Sequence, residues 1–165
     1  MIDIRKLKKE DLYFLNSVRN ECAEVYLHDS RIFSIEETYS WFEKIKPDYY
    51  LILYNNISIG YFRLSNYSLV NKNIYIGADL HKDWRGQGLA YESYCKFIPF
   101  IFETYNLNKI TLEVLSSNSV AINLYKKLGF VQEGTKRKEI YKNGVYIDSE
   151  IMSMLRDEYE KKFNK

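Results

Sequence analysis

The chain has 165 residues, 46% of them hydrophobic and 28% charged, with 24 basic and 22 acidic side chains for a net charge of +2. That length predicts one domain, residues 1–165, able to bury a core without disulfides or a structural metal. The composition excludes wholesale disorder, and the near-neutral charge excludes a dedicated nucleic-acid binder. The longest uncharged run, residues 49–62, is broken by Asn55, Asn56 and Ser58, so no apolar stretch reads as a membrane span. MIDIRKLKKEDL at the N-terminus has no apolar signal segment. Cys22 and Cys95 fall outside any CxxC or Cys/His ligand spacing and read as thiols rather than a bridge. The expectation is a cytoplasmic protein, monomer or homodimer, with no metal, nucleic-acid or membrane partner. Lysine outnumbers arginine 17 to 7 and there are 16 tyrosines. This bias reads as an AT-rich coding habit, or, for the tyrosines, as the lining of a polar-rimmed pocket.

Residues 2–7 alternate apolar and charged side chains, the pattern of a half-buried strand. Residues 10–21 carry Leu12, Leu15 and Val18 at helical spacing, and 22–33 lack a period and read as loop. Ser34 with Glu37 three residues on is a capping box. It opens a helix with Tyr39, Phe42 and Ile45 on one face, which must end before Pro47. The period then changes. Residues 50–54, the Asn55-Asn56 turn and residues 57–64 predict a hairpin, and Asn73–Leu80 a third strand. A loop over 81–87 leads into a helix over 88–105, with Leu89, Tyr94, Phe97, Ile101 and Tyr105 inward. Pro99 should kink that helix or end it early. Lys109–Leu115 reads as strand, Ser119–Leu128 as helix with Gly129 at its end, and 139–142 with 145–152 as a hairpin about Asn143-Gly144. Residues 155–165 form a charged tail, helical if ordered.

The order β-α-α-β-β-β-α-β-α-β-β is α+β with one βαβ unit over residues 73–115, whose strands should be parallel. Ligands in such units sit at the loop leaving the first strand. Here that loop holds Gly86-Gln87-Gly88 just before a helix, where unpaired first-turn amides and the helix dipole favour an anion such as phosphate. A dinucleotide fingerprint fails because Tyr91 stands where the third glycine belongs, and no GK[ST] marks a P-loop. On this loop alone, a tight turn without ligand is an equal reading.

Arg85-x-x-Gly88-x-Ala90 after a strand resembles the acetyl-CoA signature of the GNAT superfamily of N-acetyltransferases. Glu113-Val114-Leu115-Ser116-Ser117-Asn118, followed by Ala121 and by Tyr125-x-x-x-Gly129-Phe130, resembles the second half of that family's core, in the expected order. The acetyl-CoA core would then span about residues 73–130. The resemblance implies a GNAT fold with a mixed central sheet of about seven strands flanked by helices. The run from Glu133-Gly134 through Asn143-Gly144 to Met152 is similar to ribosomal-protein N-terminal and spermidine acetyltransferases, whereas Arg19-Asn20 with Ile35-Glu36-Glu37 and Trp41-Phe42 is similar to enzymes acting on nucleotide-linked amino sugars.

What the resemblance implies for the site is specific. Amides of Arg85, Gly86, Gln87, Gly88, Leu89 and Ala90 would hold the pyrophosphate of acetyl-CoA, and Leu80 and Lys82 would flank the pantetheine. Asn118 would hydrogen-bond the pantetheine arm or merely cap its helix. Tyr125 would reach the thioester sulfur and serve as acid to the departing thiolate. An alkyl amine, with a pKa near about 10, needs a base to free its lone pair. Many family members carry a Glu two residues before the glycine of the fourth strand, but here Tyr75 precedes Gly77. Glu113 matches the Glu of the N-terminal alanine acetyltransferases and is the candidate base, with Asp79 or a water network in reserve. A non-catalytic acyl-CoA-binding module is the alternative that the missing strand-four Glu keeps open. His28 and His81 read as ordinary loop histidines.

Overall fold

The computed structural model describes residues 1–164, and among them seven strands and five helices form a mixed sheet with helical cover. The strands are β1 (Ile2–Lys6), β2 (Asp48–Tyr54), β3 (Ile57–Ser68), β4 (Asn73–Leu80), β5 (Lys109–Leu115), β6 (Val131–Lys142) and β7 (Val145–Leu155). The helices are α1 (Leu12–Ala23), α2 (Ile35–Ile45), α3 (Leu89–Thr104), α4 (Ser119–Leu128) and α5 (Arg156–Phe163). Sheet order is β1-β2-β3-β4-β5-β7-β6. The chain divides into two compact units, Met1–Ser65 with Gly77–Ser93, and Asn66–Ile76 with Tyr94–Lys165.

In the first unit the β1–β2 pair runs antiparallel from Ile2 opposite Tyr54 to Lys6 opposite Tyr50. Leu12, Leu15, Val18, Cys22, Leu51 and Tyr61 are buried together, the helical spacing of α1 meeting the alternation of β2 and β3. A 3-10 turn at Lys9–Asp11 starts α1, and Asp11 anchors it by accepting from the Lys8 amide and from Arg5 at 2.8 Å. The Ser34–Glu37 capping box forms as expected, and α2 stops at Lys46, whose φ of 50° is left-handed. One expectation fails here. Ile45 is exposed, while Thr38 is buried and Tyr39, Trp41 and Phe42 pack on the core. The apolar stripe therefore covers the N-terminal two turns of α2 and not the last.

In the second unit β4 and β5 pair in parallel from Asn73 opposite Lys109, as the βαβ reading requires. Pro99 does not end α3, which runs to Thr104. A helix-interior proline costs about 3 kcal/mol, but Phe97, Ile98, Ile101 and Phe102 on the same turns are fully buried and offset it. Arg156 then closes the helix end, donating to the carbonyls of Leu107 at 2.7 Å and Phe102 at 3.0 Å. Asn143 and Gly144, with φ of 49° and 81°, give the expected type I′ hairpin. The hairpin is longer than its sequence suggests, because β6 begins at Val131 and carries two register shifts against β7. No helix among the described residues is long and apolar enough to cross a membrane.

Candidate active site

In the first unit, β4 leads into a 3-10 turn at Lys82–Trp84 and then into α3. Gly86 and Gly88 have φ of 72° and 79°, and a Cβ at either would meet nothing within 4 Å. Both conditions matter: the left-handed backbone favours glycine, and the space above it is open for a ligand to approach. The amides of the first turn of α3 have no intrahelical acceptor, so the loop offers donors and a positive helix end. The Arg85 amide is not among them, since it donates to the Lys82 carbonyl at 3.2 Å. Its guanidinium also turns into the protein, donating to Glu21 Oε1 at 2.5 Å and to the Leu80 carbonyl at 2.9 Å. Gly86, Gln87, Gly88, Leu89 and Ala90 remain as the expected donors. Sequence reasoning missed Glu21 and could not have found it, because its partners lie 61 and 64 residues away.

The same unit holds Asp79. Its side chain is 4% exposed and sits 3.5 Å from Arg63 Nη2, whose guanidinium lies where a side chain at Gly77 would have to go. Neither Asp79 Oδ2 nor the Tyr61 hydroxyl has a hydrogen-bond partner. Burial, and then the Asp79 charge, hold the Tyr61 phenol well above the ordinary tyrosine range. Burial likewise pushes the Cys22 thiol up to about 12, with Asp79 adding to it, so Cys22 is no nucleophile. His81 Nδ1 accepts from the Asp83 amide at 3.4 Å, a turn contact rather than a catalytic one.

The second unit holds the remaining sequence-predicted residues. Tyr125, on α4, is buried with its hydroxyl 3.4 Å from that of Tyr94 and its ring edge-on to those of Tyr94 and Phe130. Asn118 caps α4, its Oδ1 accepting from the Ala121 amide at 3.2 Å. The cap uses only the oxygen of that side chain. Glu113, on β5, is 22% exposed and accepts from Lys136 Nζ at 2.7 Å, and this bond raises the Lys136 ammonium above its usual range. Thr111 and Leu115, two residues to either side of Glu113 on the strand, are both buried. Cys22 and Cys95 are free thiols. No group of three or more His, Cys, Asp or Glu among the described residues is placed to hold a metal.

The model of the acetyltransferase (GNAT) domain family matches residues 2–131. The chain is similar to the putative ribosomal N-acetyltransferase YdaF of Bacillus subtilis, 29% identical over 109 residues that cover 66% of this chain and 60% of that protein. It is also similar to spermidine N(1)-acetyltransferase of Vibrio cholerae, 25% identical with 96% of this chain and 95% of that protein covered. The fold matches a structure of the Vibrio cholerae spermidine N-acetyltransferase in complex with CoA and spermine, with a TM-score of 0.90 at 24% identity over 96% of this chain and 97% of that one. It matches ribosomal-protein-alanine N-acetyltransferase of Brucella melitensis with a TM-score of 0.80 at 17% identity, covering 93% and 99%.

Proposed function

This chain belongs to the GNAT family of acetyl-CoA-dependent N-acetyltransferases, and we propose that its acceptor is a primary amine, carried by a polyamine, a protein N-terminus or a nucleotide-linked amino sugar. It does so as one catalytic domain, residues 1–165, in the cytoplasm. The observation that carries the reading is the pair of left-handed glycines under open space at the start of α3. Amides of residues 86–90 hold the pyrophosphate, and Leu80 and Lys82 flank the pantetheine. Asn118 donates its amide nitrogen to the pantetheine arm while its oxygen keeps the helix cap.

In the chemical step the amine attacks the thioester carbonyl, a C–N bond forms and the C–S bond breaks. Tyr125 protonates the leaving thiolate, the Tyr94 hydroxyl donates to the phenolate left behind, and Tyr125 regains a proton from solvent as Glu113 releases the one taken from the amine. Glu113 takes the amine proton through a water, with Lys136 as its counter-ion. A binding module without catalysis is the second reading, favoured by Tyr75 at the place of the family's strand-four Glu. Thiol release from acetyl-CoA decides between them, measured with spermidine, a peptide with N-terminal alanine and a nucleotide-linked amino sugar. Release with at least one acceptor is expected. Saturable CoA binding with no release on any of them gives the binding module.

A further inference from the structure

The loop that leads into α3 is fastened from outside. Glu21, in the last turn of α1, accepts from the Lys82 amide at 2.9 Å and from Arg85 Nη2 at 2.5 Å through the same oxygen, and its other oxygen lies 3.7 Å from His81 Nε2. Next to it in sequence, Cys22 Sγ lies 3.2 Å from Arg85 Nη2. Arg85 in turn donates through Nε to the Leu80 carbonyl and stacks 5.0 Å over the Tyr26 ring. Leu80 and Lys82, two of the residues assigned to the cofactor, and Arg85, which precedes the glycines, are thus tied to one turn of α1.

The physical need for this is clear from the loop itself. Backbone amides stabilise a phosphate best when they already point at it, because ordering them on binding costs entropy. Gly86 and Gly88 have the least steric restraint of any residues in the loop. Their neighbours must therefore be held by something else. The Glu21 side chain is 23% exposed, and its bond to Arg85 is short and charge-assisted, the stronger kind of hydrogen bond. The ion pair between Lys9 and Glu43, with both side chains about 60% exposed, is the weaker kind.

We propose that Glu21 is a positioning residue for acetyl-CoA, holding Arg85 and the Lys82 amide so that residues 86–90 stay receptive to the pyrophosphate. The proposal rests on the cofactor reading given above. Glu21 touches no reacting atom, so its loss acts on cofactor affinity and not on the chemical step.

The test is CoA binding by calorimetry, with thermal melting alongside. Glu21→Gln keeps an acceptor for the Lys82 amide and removes the charge facing Arg85, so the Kd should rise about tenfold; Glu21→Ala removes both and should cost about 100-fold. Glu43→Gln, the exposed control, should leave the Kd unchanged. Arg85→Met should weaken binding about as much as Glu21→Gln, and the double variant no more than the worse single one, a non-additivity that general destabilisation does not produce. If Glu21→Ala fails to fold, Glu21→Gln decides. A wild-type protein that binds no CoA overturns the cofactor reading and this one with it. Wild-type binding with an unchanged Kd in Glu21→Gln, or full additivity in the double variant, overturns the positioning role alone.

Discussion

The two compact units differ in what they offer to chemistry. The first presents backbone: glycines in left-handed conformation, first-turn amides, and side chains such as Glu21 and Arg85 that serve mainly to hold that backbone. The second presents side chains: a buried phenol at Tyr125 beside a second phenol, and a carboxylate at Glu113 beside an ammonium. Backbone recognition tolerates many side chains but no disturbance of φ. Side-chain chemistry tolerates backbone adjustment but not the loss of one hydroxyl or one carboxylate. Substitutions in the glycine loop of the first unit should therefore appear in Kd, and those at Tyr125 and Glu113 of the second in kcat.

The largest effect should come from Gly88→Asp, which places a Cβ on a backbone with φ of 79° and a negative charge where phosphate is to sit. CoA binding should be lost while the circular dichroism spectrum stays native; unchanged affinity would break the comparison at its first half. Next, Tyr125→Phe should lower kcat by about 100-fold or more with the Kd for CoA nearly constant. Glu113→Gln should lower kcat/KM to a similar degree at neutral pH and recover partly at high pH, where the free amine is already present. If Glu113→Gln keeps full activity and Asp79→Asn loses it, the base belongs to the first unit and the division fails. Smaller still is Gly77→Ala, whose methyl group would lie 2.7 Å from Arg63 Nη2 and displace it from buried Asp79. Urea unfolding should show a loss of about 1–3 kcal/mol.

The smallest effect is acid sensitivity at Asp29. Hydrogen bonds from Arg31, ahead of all other causes, hold this carboxylate down to about 2. A depressed carboxylate stabilises the fold above its unfolded pKa, and that contribution fades as pH falls from about 4 to about 2. Asp29 is 44% exposed and its pair is screened, so melting in that window should shift by about a degree or two and less in high salt.

Legibility in the sequence followed locality. The capping box of α2, the parallel β4–β5 pair, the Gly129 helix end and the Asn143-Gly144 turn all rest on local rules, and all formed. The length of β6 was hidden because most of its side chains are exposed, which leaves no alternation to read. The last residues of β3 were hidden for the same reason: 65, 66 and 67 are all exposed. Of the candidate site residues, the glycines and Tyr125 announce themselves by motif. The fastening by Glu21 and the Arg63–Asp79 pair do not, since each joins residues distant in sequence through geometry that no spacing rule encodes. Early termination at Pro99 fails because a helix-breaking rule takes no account of the four buried side chains around it.

β6 has one more consequence, for behaviour at high concentration. It lies at the edge of the sheet and is 12 residues long, so one side of its backbone is open to pairing with another chain. Lys136, Arg137, Lys138 and Glu139 stand in its middle, and the register shift between Lys136 and Ile140 bends the strand there. A second molecule approaching this edge meets a charged segment and a broken ladder instead of a straight template. The register shift that breaks the ladder also makes this edge a poor template for strand addition.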